Sequence, residues 1–278
     1  MVATLIEPFR EAIGQRALLE VVVLGAVGGP LGVWVVLYRE SYAAESIAHS
    51  MLPGLALAAL VGLPLGLGAA AGLAVAAVCI SLASRQDAIG PDAAVAVTVT
   101  ALFGAGSLLA LSPDVPLRIG ELLFGDPLSV SRTDLLASAA LASIVAVSLA
   151  AARRPLSLVA FDPQSAPSLG GAEARAGLIL LALLAATTLI AVQALGNLLV
   201  VALLIGPAVA ALRICSRLGP ALGVAAVLAV LAGVAGLYLS YYAELAAGAS
   251  IALCAIAPVA VSLLGGQRPL SGPLRTCP

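Results

Sequence analysis

Runs of about twenty apolar residues, parted by short polar breaks, recur along the whole chain. A helix that crosses lipid hydrocarbon needs about 20 mostly apolar residues. That length predicts spans near 17–38, 44–62, 64–83, 92–112, 133–152, 176–194, 197–212, 220–242 and 247–265. The breaks at Gly62–Pro64 and Ala194–Asn197 are short enough to join or bend their neighbours. The pattern therefore reads as an all-α polytopic membrane protein of about eight or nine transmembrane helices. Gly28/Gly32, Gly62/Gly66 and Gly68/Gly72 have the small-xxx-small spacing that lets membrane helices approach closely, and helix packing is their expected role. Pro30, Pro53, Pro64, Pro207 and Pro258 fall within spans or at their ends. Each is expected to kink its helix, and in transporters such breaks also expose backbone to a substrate.

The polar breaks set orientation and boundaries. Short arginine-rich loops stay on the cytoplasmic side. The longest connection, 153–175, the Arg213/Arg217 turn and the Arg268/Arg275 tail are each two spans apart, so all three return to that face. Counting back puts Arg39/Glu40 and Arg85/Asp87 inside as well, and turns 113–132 outward although it carries Arg118 and Arg132. Residues 1–16, with Leu5, Phe9 and Ile13 among charged neighbours, read as an interfacial segment and not as a removable signal peptide. The membrane domain is expected over 17–266 and a cytoplasmic tail over 267–278.

Composition then excludes whole classes. With 62% hydrophobic and 10% charged residues and a mean hydropathy of +1.15, the chain lacks the polar surface of a soluble domain, which is roughly a quarter charged. A net charge of −1 leaves no nucleic-acid footprint. Every basic residue is arginine, and without lysine no Walker A loop can form. Energy from ATP would have to come from a partner. Cys79, Cys215, Cys254 and Cys277 form no CxxC pair and read as packing residues.

Few groups are left for chemistry. Glu45 and His49, the only histidine, are four residues apart and share one helical face ahead of Pro53. A carboxylate and a neutral imidazole are ligands for zinc and also suit manganese or iron; a dipole-favoured acid beside an interfacial histidine is the plainer reading. Asp92 follows Gly90-Pro91 at the head of a span, where capping alone would explain it. The stretch Phe161-Asp162-Pro163 to Leu169-Gly170 reads as a turn, a short helix opened by Asp162 and a glycine stop, a shape suited to docking a soluble partner.

Arg39-Glu40-Ser41 followed by Glu45-Ser46-Ile47-Ala48-His49-Ser50-Met51-Leu52-Pro53-Gly54 resembles the acid-xxx-His-xxx-Pro-Gly signature of permeases in metal-ion ABC importers, the bacterial zinc, manganese and iron uptake systems. Leu122-Leu123-Phe124-Gly125-Asp126-Pro127-Leu128, Phe161-Asp162-Pro163 with Leu169-Gly170, Gln193 to Gly196, Leu204 to Ala208 and Gly236 to Tyr242 resemble further landmarks of that family in the same order. The resemblance implies the type II ABC importer architecture: a permease homodimer in the bacterial cytoplasmic membrane, with no ATPase site and no permanently bound cofactor. A cytoplasmic ABC ATPase dimer would dock on the 153–175 loop through Phe161, Asp162, Pro163, Leu169 and Gly170. An extracytoplasmic metal-binding protein would deliver the cation. Glu45 and His49 match the family's metal-coordinating pair, with glutamate where many relatives have aspartate, and Asp92 matches an acid at the start of its helix. Zinc is the first choice of cargo on these ligands and manganese the second. The competing readings are a permease for a metal chelate of the siderophore or cobalamin type, an ATP-independent secondary transporter and, more remotely, an intramembrane protease.

Overall fold

A computed structural model describes residues 7–83, 91–113, 130–162, 173–195 and 197–264. After a 3-10 turn at Glu7–Phe9, eleven α-helices follow among these residues. They are α1 (Ala12–Leu37), α2 (Ser41–Ser50), α3 (Leu52–Val61), α4 (Leu65–Ala83), α5 (Pro91–Ala110), α6 (Arg132–Ala151), α7 (Arg153–Phe161), α8 (Glu173–Leu195), α9 (Asn197–Ile214), α10 (Leu218–Ala243) and α11 (Ala247–Leu264). Among the described residues seven spans are long and apolar enough to cross a bilayer, α2 and α3 together forming the one from Ser41 to Val61; Leu65–Ile80 and Val200–Ile214 are shorter apolar helices. All nine expected apolar segments are thus helical, with ends shifted by five residues at most.

The helix α1 is the hub. It packs on α10, α9 and α6, while α9 and α10 both close on α11. A second group joins α3 to α4 and α5, with α2 against α5; α8 bridges the two groups, touching α1, α2, α4, α6 and α9. Lipid offers no hydrophobic drive between helices, so these contacts depend on close backbone approach. On α1, a Cβ at Gly25 would lie 2.9 Å from the Val230 nitrogen of α10, and one at Gly29 would strike the Ala225 carbonyl. Gly28 and Gly32 instead face Leu204 of α9. Gly54 and Gly68 each abut the other's carbonyl, which brings α3 and α4 into backbone contact. Gly62 departs from its expected packing role: it ends α3 at φ +74° with open space around it, a left-handed cap that glycine adopts without steric cost.

The two ends of the bundle differ. At one end Tyr38, α7 and the turn between α9 and α10 meet: the Tyr38 hydroxyl donates to the Leu156 carbonyl, and Arg153 and Arg217 line one groove. Span counting assigns those three segments to a single face. At the other end Phe9 meets Tyr238 edge-on with ring centroids 5.3 Å apart, beside Tyr241 and Tyr242, as in an interfacial aromatic belt.

The connection after Arg153 departs from the expected loop at its start. Arg153–Phe161 is helix α7, with Leu156 and Val159 buried and Arg153 and Arg154 exposed. Apolar positions three apart made a short amphipathic helix available there. Asp162 closes α7 as its C-cap residue, its N–H bonded to the Leu158 carbonyl at 2.9 Å. The short helix expected beyond it lies outside the described residues, as do Leu122 to Leu128 and Cys277.

Candidate functional site

The turn into α2 is built by backbone bonds. Arg39 adopts a left-handed φ of 61°, and the N–H groups of Glu40 and Arg39 bond the carbonyls of Val35 and Val36 at 2.9 and 3.1 Å. This Schellman-type closure ends α1 and starts α2 at Ser41. Along α2, Ala44, Ser46, Ala48 and Ser50 are buried, Glu45 is exposed and His49 is half-buried. Glu45 and His49 are four residues apart in one helix, which puts them a turn apart on the same side of α2.

The helix breaks just beyond them. Pro53 has no N–H to give the His49 carbonyl, which takes the Met51 N–H instead, and α3 starts afresh at Leu52. Helix α5 braces both sides of the break. The Phe103 ring lies 5.2 Å from the imidazole, centroid to centroid and tilted 58°, and a Cβ at Gly106 would sit 2.6 Å from the Pro53 nitrogen. At 1.5 Å per residue, His49 stands about 12 Å along the apolar span that runs from Ser41 to Val61.

Among the described residues no group of three or more His, Cys, Asp or Glu could hold a metal ion. On α2 the described side chains offer one exposed carboxylate, Glu45, and one half-buried imidazole, His49. Such a set suits a cation that pauses and leaves, since passage needs binding weak enough to release. Asp92 is in the first turn of α5, and its side chain lies outside the described residues. Eleven residues, about 16 Å of rise, separate it from Phe103, so α5 holds Asp92 and the His49 contact at different depths.

At the end bearing α7, a groove of about 830 Å³ is lined by Arg153, Arg154, Phe161, Asp162 and Arg217. Two of the five expected docking residues, Phe161 and Asp162, sit on it; Pro163, Leu169 and Gly170 lie outside the described residues. The contribution of Arg217 from a distant loop was invisible in sequence.

One acid escaped the sequence reading. Glu20 of α1 is fully buried and faces Ser138 and Asp134 of α6, with Ser138 as its nearest polar neighbour and no close hydrogen bond to either carboxylate oxygen. The available signal was an ionisable residue inside an apolar run, where a charge costs about 2.5–3.5 kcal/mol at the bilayer centre.

An acid–imidazole pair beside a broken membrane helix, in a bundle without a nucleotide loop, belongs to the class of polytopic transport proteins. The chain is a member of the ABC 3 transport family, whose profile matches residues 11–265. It is 32% identical over 242 residues to the manganese transport system membrane protein MntC of Halalkalibacterium halodurans, covering 87% of this chain and 83% of that one. It is 31% identical over 247 residues to the chelated iron transport system membrane protein YfeD of Yersinia pestis, covering 89% and 83%. The solved structure of PsaBC from Streptococcus pneumoniae in complex with Fab matches with a TM-score of 0.86 at 28% identity, covering 95% of both chains. The chain is thus an all-α, multi-pass permease of a bacterial ABC transport system.

Proposed function

We propose that this permease imports a divalent transition-metal cation, manganese or ferrous iron, through a homodimer driven by a partner ATPase dimer. The observation that carries the reading is the Glu45–His49 pair on one side of α2, one turn before the break at Pro53. A charged carboxylate left against lipid is costly, so this face turns to a second copy or to the route between copies. The names of MntC and YfeD favour manganese and iron over zinc, the first choice on ligands alone. Carboxylate oxygen suits manganese and imidazole suits iron, so the pair accommodates both.

The ATPase dimer docks at the α7 groove, where Arg153, Arg154 and Arg217 offer positive charge and Phe161 an apolar contact. An extracytoplasmic metal-binding protein hands the cation to the opposite face. Closure of the ATPases moves α7, the turn at Tyr38–Glu40 transmits the motion to α2, and the cation passes inward from Glu45 and His49.

Uptake of radiolabelled manganese tests this in cells that lack their own importer and express the permease with its ATPase. His49→Ala should abolish accumulation at unchanged membrane abundance and ATPase association. Wild-type accumulation in that variant would remove the pair from the route. Transport by liposomes holding the permease alone would favour the secondary transporter instead.

A further inference from the structure

We propose that a groove between α9, α10 and α11 binds one anionic phospholipid, its phosphate on Arg213 and an acyl chain along α10 and α11. The groove has a volume of about 710 Å³ and is walled by Leu228, Leu231, Cys254, Pro258 and Val261 with Arg213 among them, a size within the range of ligand pockets, roughly 300–1,000 Å³. Among the described residues none that lines it is acidic.

Arg213, in the last turn of α9, is the group without an account. Its Nη2 donates one long bond, 3.4 Å, to the Ser262 carbonyl, and its Nε is buried with no partner. A guanidinium fork matches phosphate oxygens bidentately, and Arg213 lines the groove with only one long bond made by its Nη2, so a phosphate there would meet N–H donors left over.

Two further observations select a lipid as its source. Ile214, Leu231 and Val261, which line the groove, are 55%, 57% and 68% exposed, so its mouth is apolar and opens toward hydrocarbon. Arg213 is four residues from Arg217, which lines the α7 groove, so the site is at the arginine-rich end that faces the cytoplasm by the positive-inside rule. Basic pockets between membrane helices on that side take anionic headgroups. The site is independent of the cargo and of the Glu45–His49 pair.

The test is native mass spectrometry of the delipidated permease–ATPase complex mixed with equal amounts of phosphatidylglycerol and phosphatidylcholine. The wild type should retain phosphatidylglycerol roughly tenfold over phosphatidylcholine, the scale of one charge-assisted contact. Arg213→Gln should abolish that preference and Arg213→Lys keep part of it. Ala257→Trp, which fills the groove without changing charge, should expel the lipid; it decides alone if Arg213→Gln does not fold. Excess inorganic phosphate should not displace the lipid. Equal retention of both lipids by the wild type, retention unchanged in Ala257→Trp, or displacement by phosphate would each overturn the proposal. So would disulfide cross-linking between Ala257→Cys copies in membranes, which would make the groove an interface between copies.

Discussion

The Tyr38 hydroxyl donates a 3.0 Å hydrogen bond to the main-chain carbonyl of Leu156, tying the end of α1 to helix α7. Leu156 is fully buried, so α7 cannot shift without moving this bond. On the other side of Tyr38 the chain enters the backbone-bonded turn at Arg39 and Glu40, and α2 begins at Ser41. Helix α7, which lines the arginine-bearing groove, and the helix that carries Glu45 and His49 are therefore one bond and one tight turn apart.

Tyr38→Phe removes the hydroxyl and keeps the ring. It should cost about 1 kcal/mol of stability, and in proteoliposomes it should lower manganese delivered per ATP hydrolysed severalfold while ATPase association is unchanged. A variant that hydrolyses and transports in the wild-type ratio would show that the bond plays no part in coupling.

Within the pair, charge and reach separate experimentally. Glu45→Asp keeps the carboxylate on a shorter arm, and Glu45→Gln keeps the length without the charge. If the carboxylate coordinates the cation, Asp should retain measurable uptake and Gln should lose at least about tenfold, the worth of about 1.4 kcal/mol. Equal uptake by both variants would mean that Glu45 carries no cation.

The glycines of the bundle divide by what surrounds them. Gly29→Val would force side-chain atoms into the Ala225 carbonyl of α10, and overpacking of this kind costs about 1–3 kcal/mol. A Cβ added at Gly104 or Gly223 would meet nothing within 4 Å, so Gly104→Ala and Gly223→Ala should stabilise their helices by about 1 kcal/mol each. Thermal unfolding in detergent would show opposite shifts; shifts of one sign would break the packing account.

The spans were legible because bilayer thickness imposes a length on apolar runs, and composition reports it with little help from tertiary contacts. Glu45 and His49 were legible because helical spacing is local. Their setting was not: Phe103 and Gly106 reach the site from α5, more than fifty residues away, and no local pattern pairs them. Helix α7 was missed because Arg153 and Arg154 cancel its apolar residues when hydropathy alone is averaged, which hides the buried face of Leu156 and Val159. Gly62 was misjudged because small-residue spacing looks the same in a packed stripe and at a cap, and only its positive φ separates the two.

Glu20 offers the sharpest test of how this bundle tolerates polarity. It lies inside α1, the hub helix of the bundle, fully buried and with neither oxygen in a close hydrogen bond. A charge held there would stand uncompensated in a low-dielectric interior, at a cost of several kcal/mol. If the fold relies on the side chain's shape and polarity, Glu20→Gln should keep membrane abundance and melt within about 1 kcal/mol of the wild type. Glu20→Arg, which cannot shed its charge, should fail to accumulate in the membrane. Normal abundance of the arginine variant would mean that water reaches this site. Loss of the glutamine variant alongside survival of Glu20→Asp would mean that α1 and α6 need the carboxyl group itself, with Ser138 or Asp134 as its working partner.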